Sequence, residues 1–412
     1  MPGRDLRIGV VTAYPPSRGS LNEYGLHLVR RLADNPAVSK VVVLADEDAA
    51  PAVGNAPEGV VVRTAWKFND ATNAARIVRE VRRSKVDAVL FNVQFASFGD
   101  RRAPAALGLL APAALSRLGV PSTVLLHNLI DRIDLGKAGY ASNRLLDAAT
   151  RRAGSALTRA LLRADLVSVT IPAYVEHLRA NYGAGNVVLT PHGTFDELPE
   201  PSFELPPGPP VLLAFGKFGT YKRVEILIEA AEIIRRGGRE VEVVVAGTDC
   251  PSAPGYIDRM RAVHGDSPHV RFTGYVPEEE VADVFAKAAV AVFPYSSTTG
   301  SSGVLHQAAS FGKAAVLPAI GDFVDVVRDE GYVGEVFAPD DPADLASALE
   351  RLLDDPAALA RQGRRNWLAA SGVPMREVAD WHLLHLRRAL QSSRATHGLR
   401  RSPTRRASHE HS

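Results

Sequence analysis

Three short segments carry the residue types that handle a phosphorylated ligand. Gly216-Lys217-Phe218-Gly219-Thr220-Tyr221-Lys222-Arg223 sets three cations and two glycines at the end of an apolar run. Cations neutralise a diphosphate and glycines let the main chain come close to it. The order G-x-x-x-x-G-K-[ST] of a P-loop is absent, so the segment reads either as a diphosphate grip or as a basic surface turn. Thr298-Thr299-Gly300-Ser301-Ser302-Gly303-Val304-Leu305-His306-Gln307 leads into a helical pattern. Its glycines and hydroxyls expose N–H groups at a helix start, where anions bind. Capping that helix would need only one of them. Tyr14-Pro15-Pro16-Ser17-Arg18-Gly19-Ser20 follows the first strand pattern, and Gly19 permits close approach of a phosphate or simply a turn. His127 closes an apolar run in LLHNLID, placed either to bond a substrate hydroxyl or to serve as a buried structural group. Pro191-His192-Gly193 reads as a turn out of its strand, and Asp46-Glu47-Asp48 as an acidic loop with a D-x-D look. No H-E-x-x-H, Cys/His metal spacing or G-x-S-x-G elbow occurs, so no metal and no serine nucleophile are expected.

These segments sit in a repeated strand–helix alternation. Strands are predicted at Arg7–Ala13, Lys40–Ala45, Val60–Trp66, Ala88–Phe95, Thr123–His127, Leu166–Thr170 and Val187–Thr190. Several are apolar on both faces, as parallel strands covered by helices are. Helical spacing covers Glu23–Ala33, Asn73–Arg83 and Arg144–Arg163. Residues 195–210 hold six prolines, an extended linker. The alternation then restarts, with strands at Val211–Phe215, Val241–Ala246, Val270–Phe272, Ala289–Phe293 and Ala314–Pro318. Its helices are Val224–Arg236, Glu278–Ala288, Val304–Phe311 and Pro342–Leu353. The expected fold is α/β, with two Rossmann-like doubly wound domains facing each other across a cleft: residues 1–197 and 198–376. A helix over 377–390 and a disordered basic tail over 391–412 complete the chain.

Composition sets the outer bounds. The 412 residues are 46% apolar and 23% charged, which excludes a wholly disordered chain. One cysteine excludes a disulfide scaffold and suits a reducing compartment. The longest apolar-rich stretch, Ala103–Leu115, has 13 residues, short of the roughly 20 that span a bilayer. With no leader-like start, a cytoplasmic enzyme is expected. The net charge of +2 divides as +6 over residues 1–197, −10 over 198–386 and +6 over 387–412. A basic first half favours anionic partners, or is ordinary surface charge. Arg76, Arg79, Arg82, Arg83 and Lys85 on or beside one helix would give a peripheral contact with an anionic membrane at its inner face. Nothing points to a specific nucleic acid.

Taken in order, these features resemble glycosyltransferase family 4, retaining sugar-nucleotide transferases of the GT-B fold. The likeness runs over most of residues 7–355, through VVLTPHGTFD, AFGKFGTYKRVEILIEAA, VRFTGYVPEEEVADVFAKAAVAVFPYSS, SSGVLHQAASFGKAAV and GYVGEVFAPDDPADLASALERLLDDPA. It implies that Lys217 and Lys222 grip the donor diphosphate where the family has arginine and lysine. It also implies that Gly19 and Ser20 occupy the glycine pair of the first loop. Gly216 lies in the diphosphate loop, His127 lies near the reacting sugar, and Gly300, Ser301, Ser302, Gly303 and Val304 contact sugar and β-phosphate. Thr299 and Gln307 stand where the family has paired glutamates. Both still hydrogen-bond, but without charge.

The resemblance implies a hexosyltransferase moving sugar from a nucleoside-diphosphate donor to a hydroxyl acceptor, a glycan, glycolipid or lipid-linked saccharide of envelope or polysaccharide synthesis. It implies neither metal nor cofactor, the sugar nucleotide being substrate. Two alternatives stand beside it: a nucleotide-sugar 2-epimerase of the same fold, and a non-catalytic sugar-nucleotide or glycan-binding protein.

Overall fold

A computed structural model describes residues 6–17, 19–129, 144–195, 200–250, 252–297 and 300–400. The N-terminal domain runs β1 (Leu6–Val11), α1 (Asn22–Asp34), β2 (Val38–Asp46), β3 (Val60–Trp66), α2 (Asn73–Ser84), β4 (Ala88–Val93), α3 (Arg102–Gly108), α4 (Ala111–Arg117), β5 (Ser122–Leu126), α5 (Arg144–Leu161), β6 (Leu166–Val169), α6 (Pro172–Tyr182) and β7 (Val187–Leu189). Its strands form one parallel sheet in the order β3-β2-β1-β4-β5-β6-β7. Every residue of β4 and β5 is buried, as expected where helices cover both faces.

The second domain repeats the scheme with β8 (Val211–Phe218), α7 (Val224–Arg236), β9 (Glu242–Asp249), α8 (Tyr256–His264), β10 (Val270–Gly274), α9 (Glu278–Lys287), β11 (Val290–Val292), α10 (Gly303–Ser310), β12 (Ala314–Pro318), α11 (Gly321–Glu330), β13 (Glu335–Phe337), α12 (Pro342–Asp354) and α13 (Pro356–Ser371). Its parallel order is β10-β9-β8-β11-β12-β13. In each sheet the order reverses beside the first strand. Open sheets bind ligands at that point, outside the carboxyl ends of the strands.

The last helix, α14 (Met375–Arg400), returns to the first domain. Met375, Val378, Leu383 and Leu386 join a core cluster with Ile8, Val10, Leu28 and Leu32 of β1 and α1. The two chain crossings are tied together. The Thr194 N–H donates to Val373 O at 2.9 Å, the Met375 N–H donates to Thr194 O at 2.8 Å, and the Thr194 hydroxyl donates to Ala370 O at 2.7 Å.

Several expectations need correction. The helix placed at 377–390 extends to Arg400, so residues 391–400 are helical rather than disordered, and 401–412 fall outside the described residues. Strand β8 runs through Gly216 and Lys217 to Phe218, because its whole length pairs with β9. The apolar stretch 103–115 breaks into α3 and α4, and among the described residues no helix is long and apolar enough to cross a membrane. The basic run on α2 is partly neutralised: Arg76 pairs with Glu47 at 2.7 Å and Asp70 at 3.1 Å, and Arg83 with Glu80 at 2.8 Å.

Leu386 is fully buried between α14 and the first sheet. Leu386→Ala should lower the unfolding free energy by about 2–5 kcal/mol, measured by urea denaturation. A loss within error of zero would show that α14 does not hold the first domain.

Candidate active site

The carboxyl ends of both sheets open on one cleft of about 1020 Å³ between the domains. Gly19, Ser20, His127, Gly216, Lys217, Lys222, Gly300, Ser301, Ser302, Gly303, Val304 and Gln307 all line it. Thr299 lies outside the described residues, as do Arg18 and Thr298. Residues nearly 300 positions apart in sequence thus meet in one cavity.

The lysine segment is a strand end followed by a close turn. The Gly219 N–H donates to Lys222 O and the Lys222 N–H to Gly219 O, each at 3.0 Å. Gly216 has φ 124°. A Cβ there would lie 3.3 Å from Val304 Cγ2 and 3.6 Å from Lys222 Nζ. Glycine is required by the torsion, and the absent side chain leaves the main chain open between the lysine loop and α10. Lys222 Nζ sits 4.7 Å from the centroid of the Tyr295 ring, a cation–π contact that fixes the long side chain. Lys217 is held below the ordinary lysine pKa, chiefly by burial; Cys250 and Glu23 oppose the shift and Lys222 reinforces it. Two partly desolvated ammonium groups that feel each other's charge make a strong anion site.

Opposite stands the head of α10. Ser302 adopts φ 52° and α10 begins at Gly303, whose N–H and that of Val304 are free of intrahelical partners by geometry. These dipoles point positive charge at the space beside Gly216. Gly300 has φ 146°, and a Cβ on it would fall 2.4 Å from the carbonyl oxygen of His127. The serine-rich turn of one domain therefore rests directly on the end of β5 in the other.

His127 Nε2 lies 2.7 Å from Asn92 Oδ1, and Asn92 donates its amide to Thr12 Oγ1 at 3.0 Å. With the amide nitrogen so occupied, the asparagine oxygen accepts from Nε2–H, which leaves the Nδ1 lone pair as an acceptor. Burial, with His382 and His306 adding, pulls the His127 pKa down to about 3, so the ring is neutral.

Two histidines complete the group that sequence reasoning had not singled out. His192, expected only in a turn, is flanked by Tyr24, edge-on at 4.7 Å, and by His306, tilted at 4.5 Å, and its Nε2 lies 3.2 Å from where a Cβ on Gly303 would be. Burial holds it well below the usual histidine pKa. His306 differs. Its Nδ1 lies 3.0 Å from Ser302 O and its Nε2 2.7 Å from Glu330 Oε2. Burial favours the neutral ring, but Glu330 and then the Ser302 carbonyl outweigh it and raise the pKa. Both ring nitrogens face acceptors, so an imidazolium satisfies them together, adding positive charge at the head of α10. The signal was present in the sequence: His306 follows Gly303 by three positions, one helical turn.

Comparison with known proteins agrees with this geometry. Residues 209–355, most of the second domain, match the family model described as Glycosyl transferases group 1. D-inositol 3-phosphate glycosyltransferase 2 of Catenulispora acidiphila is 34% identical over 206 residues, 45% of this chain; the chain spans about half of that relative's length (48%). Sucrose-phosphate synthase from Thermosynechococcus elongatus superposes with a TM-score of 0.72 at 19% identity, over 95% of this chain and 100% of that one. HepE of Anabaena in complex with UDP-glucose gives a TM-score of 0.65 at 16% identity, over 94% and 100%. The two facing Rossmann-like domains are the GT-B fold of glycosyltransferases.

The raised pKa of His306 gives a signed expectation. A partner that raises a folded pKa contributes fully below the unfolded value, near 6.5, and its contribution fades as pH rises through the folded value. Glu330→Gln should therefore cost about 3–5 kcal/mol at pH 6, as breaking a buried pair does, and less at pH 9. Unfolding curves at the two pH values check this; an equal loss at both would show that His306 is not charged at pH 6.

Proposed function

We propose that the protein is a retaining glycosyltransferase that moves a hexose from a nucleoside-diphosphate sugar to a hydroxyl acceptor. The observation that carries this reading is that Lys217, Lys222 and the head of α10 converge across Gly216 in one interdomain cleft. Such a constellation stabilises the charge that grows on a departing diphosphate, the largest kind of catalytic contribution. The HepE complex with UDP-glucose makes uridine diphosphate the first nucleotide to try.

In the proposed step the anomeric C–O bond to the diphosphate breaks, and the electron pair leaves with the phosphate oxygen. The acceptor oxygen bonds the anomeric carbon on the same face, and its proton passes to the departing phosphate oxygen. Lys217 and Lys222 bind the diphosphate, with the Gly303 and Val304 amides helping. Neutral His127 offers Nδ1 to a sugar hydroxyl and so orients the ring. Gln307 on α10 lines the same end of the cleft and bonds the nucleotide ribose. The domain contact at Gly300 excludes water that would otherwise hydrolyse the donor. The acceptor enters from the first domain's side. An anionic membrane remains the surface at which a glycolipid or lipid-linked saccharide would be met, through Arg82 of α2 and Lys85 just after it.

Lys217→Ala/Lys222→Ala should lower kcat about 1000-fold or more and abolish the thermal shift given by UDP. Because the Lys217 pKa is lowered, diphosphate binding should weaken at a pH below that at which ordinary lysines titrate, and Lys217→Arg should move this alkaline limb upward. Unchanged transfer in the double variant would overturn the assignment.

A further inference from the structure

The two walls of the cleft differ in charge. Among the described residues lining it, histidines aside, the second domain contributes Lys217 and Lys222, whereas the first contributes Glu23, Asp46, Asp48 and Asp100 against Arg102. The net +6 of the first 197 residues is not carried by this wall. Glu23 feels Lys217 across the cleft, Asp100 accepts from Asn69 at 2.8 Å, and Arg102 is already engaged.

That leaves Asp46 and Asp48, at the carboxyl end of β2. Glu47 between them takes up the nearby cations, Arg76 at 2.7 Å and Lys67 at 3.4 Å. Asp46 is only 4% exposed. Its Oδ2 accepts the Ser17 hydroxyl, and its Oδ1 has no partner. Neither carboxylate has a cationic partner among the described residues. Burial raises the Asp46 pKa, opposed by the Ser17 hydroxyl and main-chain hydrogen bonds and reinforced more weakly by Asp48. Asp48 is exposed on the same wall, and Phe68, 40% exposed, lines the same cleft, as does Phe95.

We propose that the acceptor subsite takes an aminated polyol ring, an amino sugar or aminocyclitol, whose ammonium is held by Asp48 with Asp46 behind it and whose C–H face rests on Phe68. The inference rests on the glycosyltransferase reading and names the acceptor class of that site. An ammonium brings three donors and the missing charge. A neutral ring leaves both carboxylates uncompensated, and a phosphorylated ring sets anion against anion, the repulsive element that builds specificity.

Three cyclitols of one ring size separate these cases: streptamine with two ammonium groups, neutral scyllo-inositol, and myo-inositol 1-phosphate. Each is titrated calorimetrically into the full chain with UDP present. Streptamine should bind at least about ten-fold tighter than the neutral ring, with the phosphate weakest. Asp48→Asn, at an exposed position, and Asp46→Asn should each shrink that preference to about two-fold, in variants confirmed by a cooperative melt. The inference is overturned if streptamine does not bind, if either other ring binds as tightly, or if Asp48→Asn leaves the preference unchanged. UDP, ADP and GDP are each titrated alone in parallel. UDP binding without an ammonium preference sinks only the acceptor class; failure of UDP, ADP and GDP alike to bind removes the transferase reading and this inference with it.

Discussion

An ammonium group withdrawn from water needs an anion, and the end of β8 withdraws one. Lys217 is buried by the closure of two domains onto each other, with Glu23 of α1 as its partial counter-charge. Cys250 also opposes the cost of that burial, and Lys222 adds to it. Lys222 is fixed by the Tyr295 ring, and the head of α10 adds amide dipoles and the His306 charge. Glu330 supplies a negative charge nearby, yet spends it on His306 from behind.

Holding cations in that state requires exact separation of the walls. Gly300 sets it on one side, since no side chain fits between the turn and the His127 carbonyl. His27 Nε2, 2.8 Å from Glu278 Oε1, adds a second bridge between α1 and α9. The first wall meanwhile keeps carboxylates facing a cleft whose far side is cationic. The two walls therefore attract opposite charges.

Much of this was legible in the chain. Short continuous apolar runs alternating with helical spacing pointed to both sheets, because parallel strands covered on both faces must be apolar throughout. The proline-rich segment, read as the boundary for an equally local reason, lies between β7 of one sheet and β8 of the other. Short elements were less visible: β13, three residues long, and α11 carry too few turns of pattern to stand out from their loops. The glycine- and lysine-bearing loops of the cleft could be picked out because glycines, hydroxyls and lysines cluster in sequence. His192 and Glu330 could not, and Asp46 showed only as part of an acidic loop, because what makes each of them notable is its neighbours. His192 matters through Tyr24 and His306, Asp46 through the absence of a cation that its sequence neighbour Glu47 has captured. Charge counted over whole segments misled for the same reason: sums ignore which way side chains face.

The return of α14 changes how the molecule is connected. Strand β1 and the packed part of α14 both belong to the first domain, so the second is topologically an insert joined by two strands of chain, hydrogen-bonded to each other at Thr194 and Val373. Paired crossings of this kind form a single pivot in place of a loose tether. They restrict swinging to one axis, and they mean that a nick anywhere in the proline-rich segment would leave the halves still attached.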